Sequence, residues 1–107
     1  MSVHSDLDAA LSLLQGGRHK AAYKAAKKAM GQHRAHPAFP NIAGIALCAT
    51  GKQRDGLGYF RKALQLDPGF HDARKNLAQT LLLLGEGAAA AGQLDRLARE
   101  TFAQFVK

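Results

Sequence analysis

Apolar residues recur along this chain at helical spacing, in stripes that end abruptly and then begin again. One stripe runs to Leu66 and is broken by Asp-Pro-Gly at residues 67–69. A new stripe starts at Phe70 and continues through Ala73 and Leu77. Apolar residues three and four positions apart predict an amphipathic helix, whereas proline and glycine end one. The pattern therefore predicts short helices joined by tight turns.

The same pattern of small and apolar residues returns at a fixed period. Gly17, Gly51 and Gly85 are separated by 34 residues each time. Four further series keep this register: Leu13, Leu47 and Leu81; Ala22, Gly56 and Ala90; Ala29, Ala63 and Leu97; and Ala10, Gly44 and Ala78. A period of this length indicates a helical repeat, in which each unit needs its neighbours to bury its apolar face.

Each unit is predicted to contain two helices joined by a glycine turn. A glycine after a helix takes the left-handed conformation that closes the last turn. The predicted helix pairs are 5–15 with 18–32, 39–50 with 53–66, and 70–84 with 87–106. The prediction is therefore an all-α superhelix of three antiparallel helix pairs, forming one domain over 1–107 with units at 3–36, 37–70 and 71–107.

Composition limits the class of protein. A chain of 107 residues fits one domain. The single Cys48 cannot form an internal disulfide, and the N-terminal stretch lacks the basic and apolar segments of a secretion signal. The longest apolar run, Leu81 to Leu84, is too short for a membrane span. These features predict a cytoplasmic protein, and the net charge of +7 permits acidic partners.

The second unit, residues 37–70, closely resembles a tetratricopeptide repeat. The family's small, turn, aromatic and proline positions are filled by Gly44, Gly51, Gly56, Phe60, Ala63 and Pro68. Its usual tryptophan is replaced by Pro40 and the following aromatic by Leu47, while the first unit has Ala26 at the later aromatic position. Units two and three also resemble, more weakly, repeats that precede sulfotransferase-type domains in some bacterial proteins.

The family resemblance implies a right-handed superhelix whose first helices line a concave, non-catalytic, peptide-binding face. In relatives that hold chaperone tails, this face clamps a carboxylate with cations and asparagine. The matching positions here are Leu7, Leu11, Ile42, Asp72 and Asn76, which include no cation. We therefore expect that clamp to be absent.

An apolar partner groove is predicted in place of the clamp. Its candidate residues are Leu7, Leu11, Ile42, Ile45, Cys48 and Leu82. A bare row of large aliphatic side chains is unusual in a monomer, so it would need a partner to cover it. Alternatively, the first helix packs more deeply than the family pattern implies and hides Leu7 and Leu11.

Four lysines form the main charge feature of the sequence. We expect one side of the second helix to carry Lys20, Lys24, Lys27 and Lys28, opposite a series of alanines. They are either an ordinary solvated surface or an anion-binding face. No aromatic residues alternate with them as a base-stacking platform requires, which disfavours nucleic acid as the partner.

No catalytic or metal-binding constellation is recognisable. Gly51-Lys52 lacks the spacing and the hydroxyl residue of a phosphate-binding loop. His33 and His36 are three residues apart, but no third metal ligand accompanies them. No motif supplies a base for Cys48. We therefore expect a protein that is not an enzyme and that needs no cofactor or metal.

The C-terminal helix carries Phe102 and Phe105 beyond the reach of its predicted partner helix. Two exposed phenylalanines are costly, so they either fold back, contact a further domain or form a homodimer. We favour the homodimer, because symmetric pairing commonly hides such a patch.

Three functions remain open from the sequence. The first is a protein–protein interaction module that holds a peptide or helix in its groove. The second is an accessory N-terminal domain of a larger bacterial enzyme, such as a sulfotransferase. The third is binding of a polyanion or nucleic acid through the lysine face.

Overall fold

The computed structural model describes the backbone of residues 2–105 and the side chains of residues 2–100. Within that range the chain forms six helices and no strand: α1 Val3–Gln15, α2 His19–Gln32, α3 Ala38–Ala49, α4 Gln53–Leu66, α5 His71–Leu83 and α6 Gly87–Phe105. The expected all-α superhelix of helix pairs is confirmed, with each boundary within two residues of its predicted position. The division into repeat units and a single domain stays a prediction.

The turns inside the three pairs share one hydrogen-bonded geometry. Gly17, Gly51 and Gly85 have φ values of 77°, 86° and 77°. In each turn the glycine N–H donates to the carbonyl three residues earlier, and the next N–H donates to the carbonyl five residues before it. This is the Schellman arrangement, which favours glycine because its left-handed backbone crowds a β-carbon. The periodic glycines therefore mark helix ends, as predicted.

The core consists of two connected clusters. The first lies between the first two pairs and is built from Ala10, Ala26, Ile42 and Ala43. The second lies between the second and third pairs and contains larger side chains, namely Leu57, Phe60, Leu77, Leu81 and Ala90. The small side chains let the helices of the first half approach closely, since alanine adds little bulk between two backbones.

The helices form an inner and an outer layer. The backbone of α3 approaches those of α1 and α5 directly, whereas within the described residues those of α2 and α4 do not approach each other. The first helix of each pair is therefore on the inner side of the array. Tyr23 on α2 and Tyr59 on α4 bridge the outer layer, with rings edge to face at 5.8 Å and hydroxyls sharing a 2.9 Å hydrogen bond.

A buried arginine connects α5 to α6. Arg74 is 4% exposed, and its guanidinium donates to Oε1 of Gln93 at 2.7 Å and to the carbonyl of Pro68 at 2.8 Å. Its Nε lies 3.8 Å from Oε2 of Glu100. A buried arginine is tolerated here because both terminal nitrogens have acceptors, while Nε makes no hydrogen bond among the described residues and is balanced only by the charge of Glu100. None of the described helices combines the length and apolar character needed to cross a membrane.

Candidate functional site

The predicted groove residues come from the three helices of the inner layer. Leu7 and Leu11 on α1 are half-buried and pack against the first core cluster. Ile45 on α3 is half-buried against the second cluster, and Leu82 on α5 is 53% exposed. Each of these four aliphatic side chains therefore keeps some accessible surface on the inner layer.

Ile42 differs from the other predicted groove residues. It is 2% exposed and lies within the first core cluster, next to Ala10 of α1 and Ala26 of α2. The close approach of α1 and α2 at their alanines leaves Ile42 as the side chain that fills the space between them. Ile42 is a core residue, and its prediction as a groove-lining residue is corrected here.

Cys48 is half-buried and takes part in helix packing. A β-carbon at Gly56 of α4 would lie 2.6 Å from its sulfur, so the thiol sits directly against that glycine. The sulfur also lies 3.7 Å from Oγ1 of Thr80 on α5. Cys48 thus contacts side chains or backbone of three helices, and its place in the partner groove stays a prediction.

Leu7 and Leu11 match neither sequence interpretation completely. Both side chains pack on the core, as the deep-packing alternative expects, yet both remain partly exposed. One exposed apolar side chain was not anticipated from the sequence, since Leu83 is 77% exposed beside Leu82 at the end of α5. The signal was the four-leucine run 81–84, because one helix face cannot bury four consecutive residues.

The inner layer also contains a polar contact between α3 and α5. Nδ2 of Asn76 donates to Oδ1 of Asn41 at 2.9 Å, and the hydroxyl of Thr80 donates to the carbonyl of Asn76 at 2.7 Å. Asn41 and Thr80 are buried. These hydrogen bonds link α3 to α5 and hold the two amide side chains in place.

The four predicted lysines are all exposed, while the alanines on the opposite side of α2 are buried. They do not form a single surface, however. Lys20 and Lys24 line a hollow that also includes Lys52 before α4. Lys27 faces the far end of α4, and Lys28 lines a hollow shared with Asp6 of α1.

The two histidines after α2 pack around an aromatic ring. His33 stacks on Phe39 with ring centroids 5.5 Å apart, and His36 lies tilted against the same ring at 5.3 Å. Nε2 of His33 is 2.7 Å from Oδ2 of Asp6, and Nδ1 of His36 accepts from the Ala38 N–H at 3.2 Å. Among the described residues no group of three side chains is placed to hold a metal ion.

The side chains of Phe102 and Phe105 lie outside the described residues. On the described part of the same helix, Leu94 is 45% exposed and Leu97 is half-buried. The outer side of α6 therefore presents at least one large aliphatic side chain to solvent.

The helix pairs, their Schellman turns and the layered stacking define an all-α helical repeat protein. A profile described as "Tetratricopeptide repeat" matches residues 47–104, which is more than half of the chain. The chain therefore belongs to the tetratricopeptide repeat family. No curated protein matches it. The weaker resemblance to repeats of sulfotransferase-type proteins receives no support from these comparisons.

Several solved structures share the fold at low sequence identity. The second TPR of Spaghetti (RPAP3), bound to the HSP90 peptide SRMEEVD, is 16% identical with a TM-score of 0.83, covering 88% of this chain and 87% of that one. The Yersinia enterocolitica type III secretion chaperone SycD, in complex with a peptide of the translocator YopD, is 18% identical with a TM-score of 0.86, covering 92% and 75%.

A third similar structure is longer. MamA 41-end from Desulfovibrio magneticus RS-1 is 17% identical with a TM-score of 0.88, and the match covers 94% of this chain but 57% of that one. The chain thus spans little more than half of that protein. At these identities the likeness concerns the fold.

Proposed function

We propose that this chain is a non-enzymatic protein-interaction module that holds an apolar segment of a partner protein on its inner layer. The observation that carries the proposal is the partial exposure of aliphatic side chains on three successive inner helices: Leu7, Leu11, Ile45 and Leu82. Such a surface has the chemistry of the peptide grooves that accept an apolar helix or strand.

Two of the structural neighbours support a peptide as the ligand class. The RPAP3 domain and SycD are both described in complex with peptides. This chain differs from clamp-type relatives in the charge of its inner face. The positions that carry cations in a carboxylate clamp hold none here, since they are Leu7, Leu11, Ile42, Asp72 and Asn76. The partner segment is therefore apolar and is recognised by its side chains rather than by a terminal carboxylate.

The test is selection of binders from a peptide library that includes apolar helical and extended sequences. Wild-type protein is expected to select apolar peptides, and Ile45→Glu is expected to weaken their binding about tenfold or more, since a carboxylate would be desolvated against them. Leu82→Glu should weaken the same peptides, because Leu82 lies on the next inner helix.

The matched control is Leu66→Glu. Leu66 is 37% exposed and ends α4 in the outer layer, so it carries the same substitution on the other side of the protein. Its variant should bind the selected peptides as the wild type does. Unchanged binding by Ile45→Glu, with unchanged thermal stability, would refute the groove as the binding surface.

A second candidate function is binding of polyanions through Lys20, Lys24, Lys27 and Lys28. The observation in its favour is that all four side chains are exposed. Binding to heparin or an acidic polypeptide should weaken steeply as salt is added, because counterions screen exposed lysines. The accessory-domain alternative makes no use of this surface, and it predicts a catalytic domain encoded beside this segment.

A further inference from the structure

A basic hollow lies on the outer side of the array, where α2, the loop after it and α4 meet. Its volume is about 430 Å³. Lys27 comes from α2, Arg34 from the loop and Lys62 from α4, so three separate elements each contribute a cation. Met30, Pro40 and Leu66 supply apolar lining. Tyr59, His33 and His36 complete the polar part of the wall.

None of the residues lining this hollow is an aspartate or glutamate. Across the described side chains, Arg34 and Lys62 form no ion pair, and Lys27 makes a cation–π contact with Tyr23 at 5.8 Å. Two carboxylates lie next to lining residues, Asp6 beside His33 and Asp67 after Leu66, and each already has a hydrogen-bond partner. Asp6 is bonded to His33 at 2.7 Å, and Oδ1 of Asp67 accepts from the Gly69 N–H at 3.0 Å.

Three cations around one concavity create a positive potential that attracts a compact anion. The guanidinium of an arginine can donate two parallel hydrogen bonds, and each lysine adds a further charge. Such a set suits a phosphate dianion, which has three terminal oxygens, better than a carboxylate, which has two oxygens and one charge. The hollow is larger than a phosphate group alone requires, and its apolar wall has no use in binding inorganic phosphate. Its lining therefore fits a phosphate that is carried on an apolar group.

We propose that this hollow binds a phosphate monoester on an aromatic or aliphatic group, with Lys27, Arg34 and Lys62 holding the phosphate. Met30 and Leu66 contact the organic group, since Pro40 is fully buried. The site goes beyond the proposed peptide groove, because it lies between outer-layer elements and shares no residue with the groove. It also differs from the lysine face, since only Lys27 belongs to both.

The site is tested by titrating isotope-labelled protein with phenyl phosphate at low salt and following amide resonances by NMR. The expected shifts are concentrated at Gly31, Arg34, His36 and Lys62, with weaker binding of benzoate and of inorganic phosphate. Shifts confined to the groove residues, or benzoate binding as tightly as phenyl phosphate, would overturn the proposal.

Variants separate this site from general attraction by a basic protein. The double variant Arg34→Gln, Lys62→Gln is expected to lower affinity for phenyl phosphate about tenfold or more. The double variant Lys24→Gln, Lys28→Gln is the matched control, because it also removes two positive charges but from residues that line other hollows. Equal losses in the two double variants would show nonspecific attraction and refute the site.

The source of the phosphate is decided by a further comparison. A short phosphotyrosine peptide and its unphosphorylated form are titrated beside phenyl phosphate. Tighter binding of the phosphopeptide than of phenyl phosphate assigns the site to modified proteins, whereas equal binding assigns it to small organic phosphates. Equal binding of the two peptides would contradict the proposal, since the phosphate would then contribute nothing.

Discussion

The aromatic ring of Phe60 on α4 lies directly against the backbone of Gly44 on α3. A β-carbon at residue 44 would stand 2.5 Å from Cε1 and 2.7 Å from Cδ1 of that ring. Phe60 is fully buried and belongs to the core cluster between the second and third pairs. The missing side chain of Gly44 is therefore the space into which the main aromatic residue of this core fits.

Gly44→Ala should destabilise the protein by about 1–3 kcal/mol, because Phe60 must leave its position or the two helices must separate. Gly58→Ala is the matched control, since Gly58 is also helical but a β-carbon there would meet nothing within 4 Å. This control should stabilise by roughly 0.5–1 kcal/mol through helix propensity. Chemical denaturation measures both, and equal effects of the two substitutions would disprove the packing argument.

Arg74→Ala should destabilise the protein by roughly 2–3 kcal/mol, because it removes a charged hydrogen bond to Gln93 on α6 and another to the carbonyl of Pro68 in the turn before α5. Arg99→Ala is the control, since it removes an exposed arginine that pairs with Asp95 on the same helix. We expect it to lower the free energy of unfolding by less than about 0.5 kcal/mol. Hydrogen exchange of α6 should rise in Arg74→Ala. If Arg74→Ala lowers the free energy of unfolding no more than Arg99→Ala does, the hydrogen bonds of Arg74 do not stabilise the protein.

Tyr59 should make the stability of the protein sensitive to alkaline pH. Burial, followed by the hydrogen bond and charge of Tyr23 and the charge of Asp55, raises the pKa of Tyr59 to about 12. An unfolded tyrosine titrates near pH 10, so the folded state retains the proton more tightly. The stabilisation is complete below about pH 10 and is lost as pH rises towards about 12.

Ultraviolet titration of Tyr23→Phe isolates this group, because the chain has two tyrosines. Without its hydroxyl partner, the pKa of Tyr59 should fall from its raised value towards the ordinary one. Thermal unfolding followed across the same pH range gives the stability directly. A Tyr59 that ionises near pH 10 in the wild type would contradict the effect of burial and of the paired hydroxyls.

Self-association is the prediction attached to Phe102 and Phe105. If these residues close a homodimer, sedimentation should show a dimer in the wild type and a monomer in the double variant Phe102→Glu, Phe105→Glu. Leu83→Glu is a suitable control, because Leu83 is 77% exposed on another helix. A wild type that stays monomeric at high concentration would exclude the dimer and favour a fold-back or a contact with another domain.

The sequence alone determined the helices and their ends. The helix ends could be predicted because each depends on a left-handed backbone at one residue. Glycine adopts that conformation most easily, so the residue type alone marks Gly17, Gly51 and Gly85. The buried alanines of α2 follow equally from helical periodicity. The repeat register also places apolar residues on the inner helices, whereas their use as a partner groove stays a prediction.

Tertiary structure decided which side chains meet. Ile42 is buried and Leu83 is exposed although both are large and apolar, because burial depends on how closely neighbouring helices approach. Arg74 was not anticipated as a buried residue, since its acceptors come from distant parts of the chain. Likewise Lys27, Arg34 and Lys62 share no local pattern, and only the packing of α2 and α4 on α3 brings these residues to one hollow.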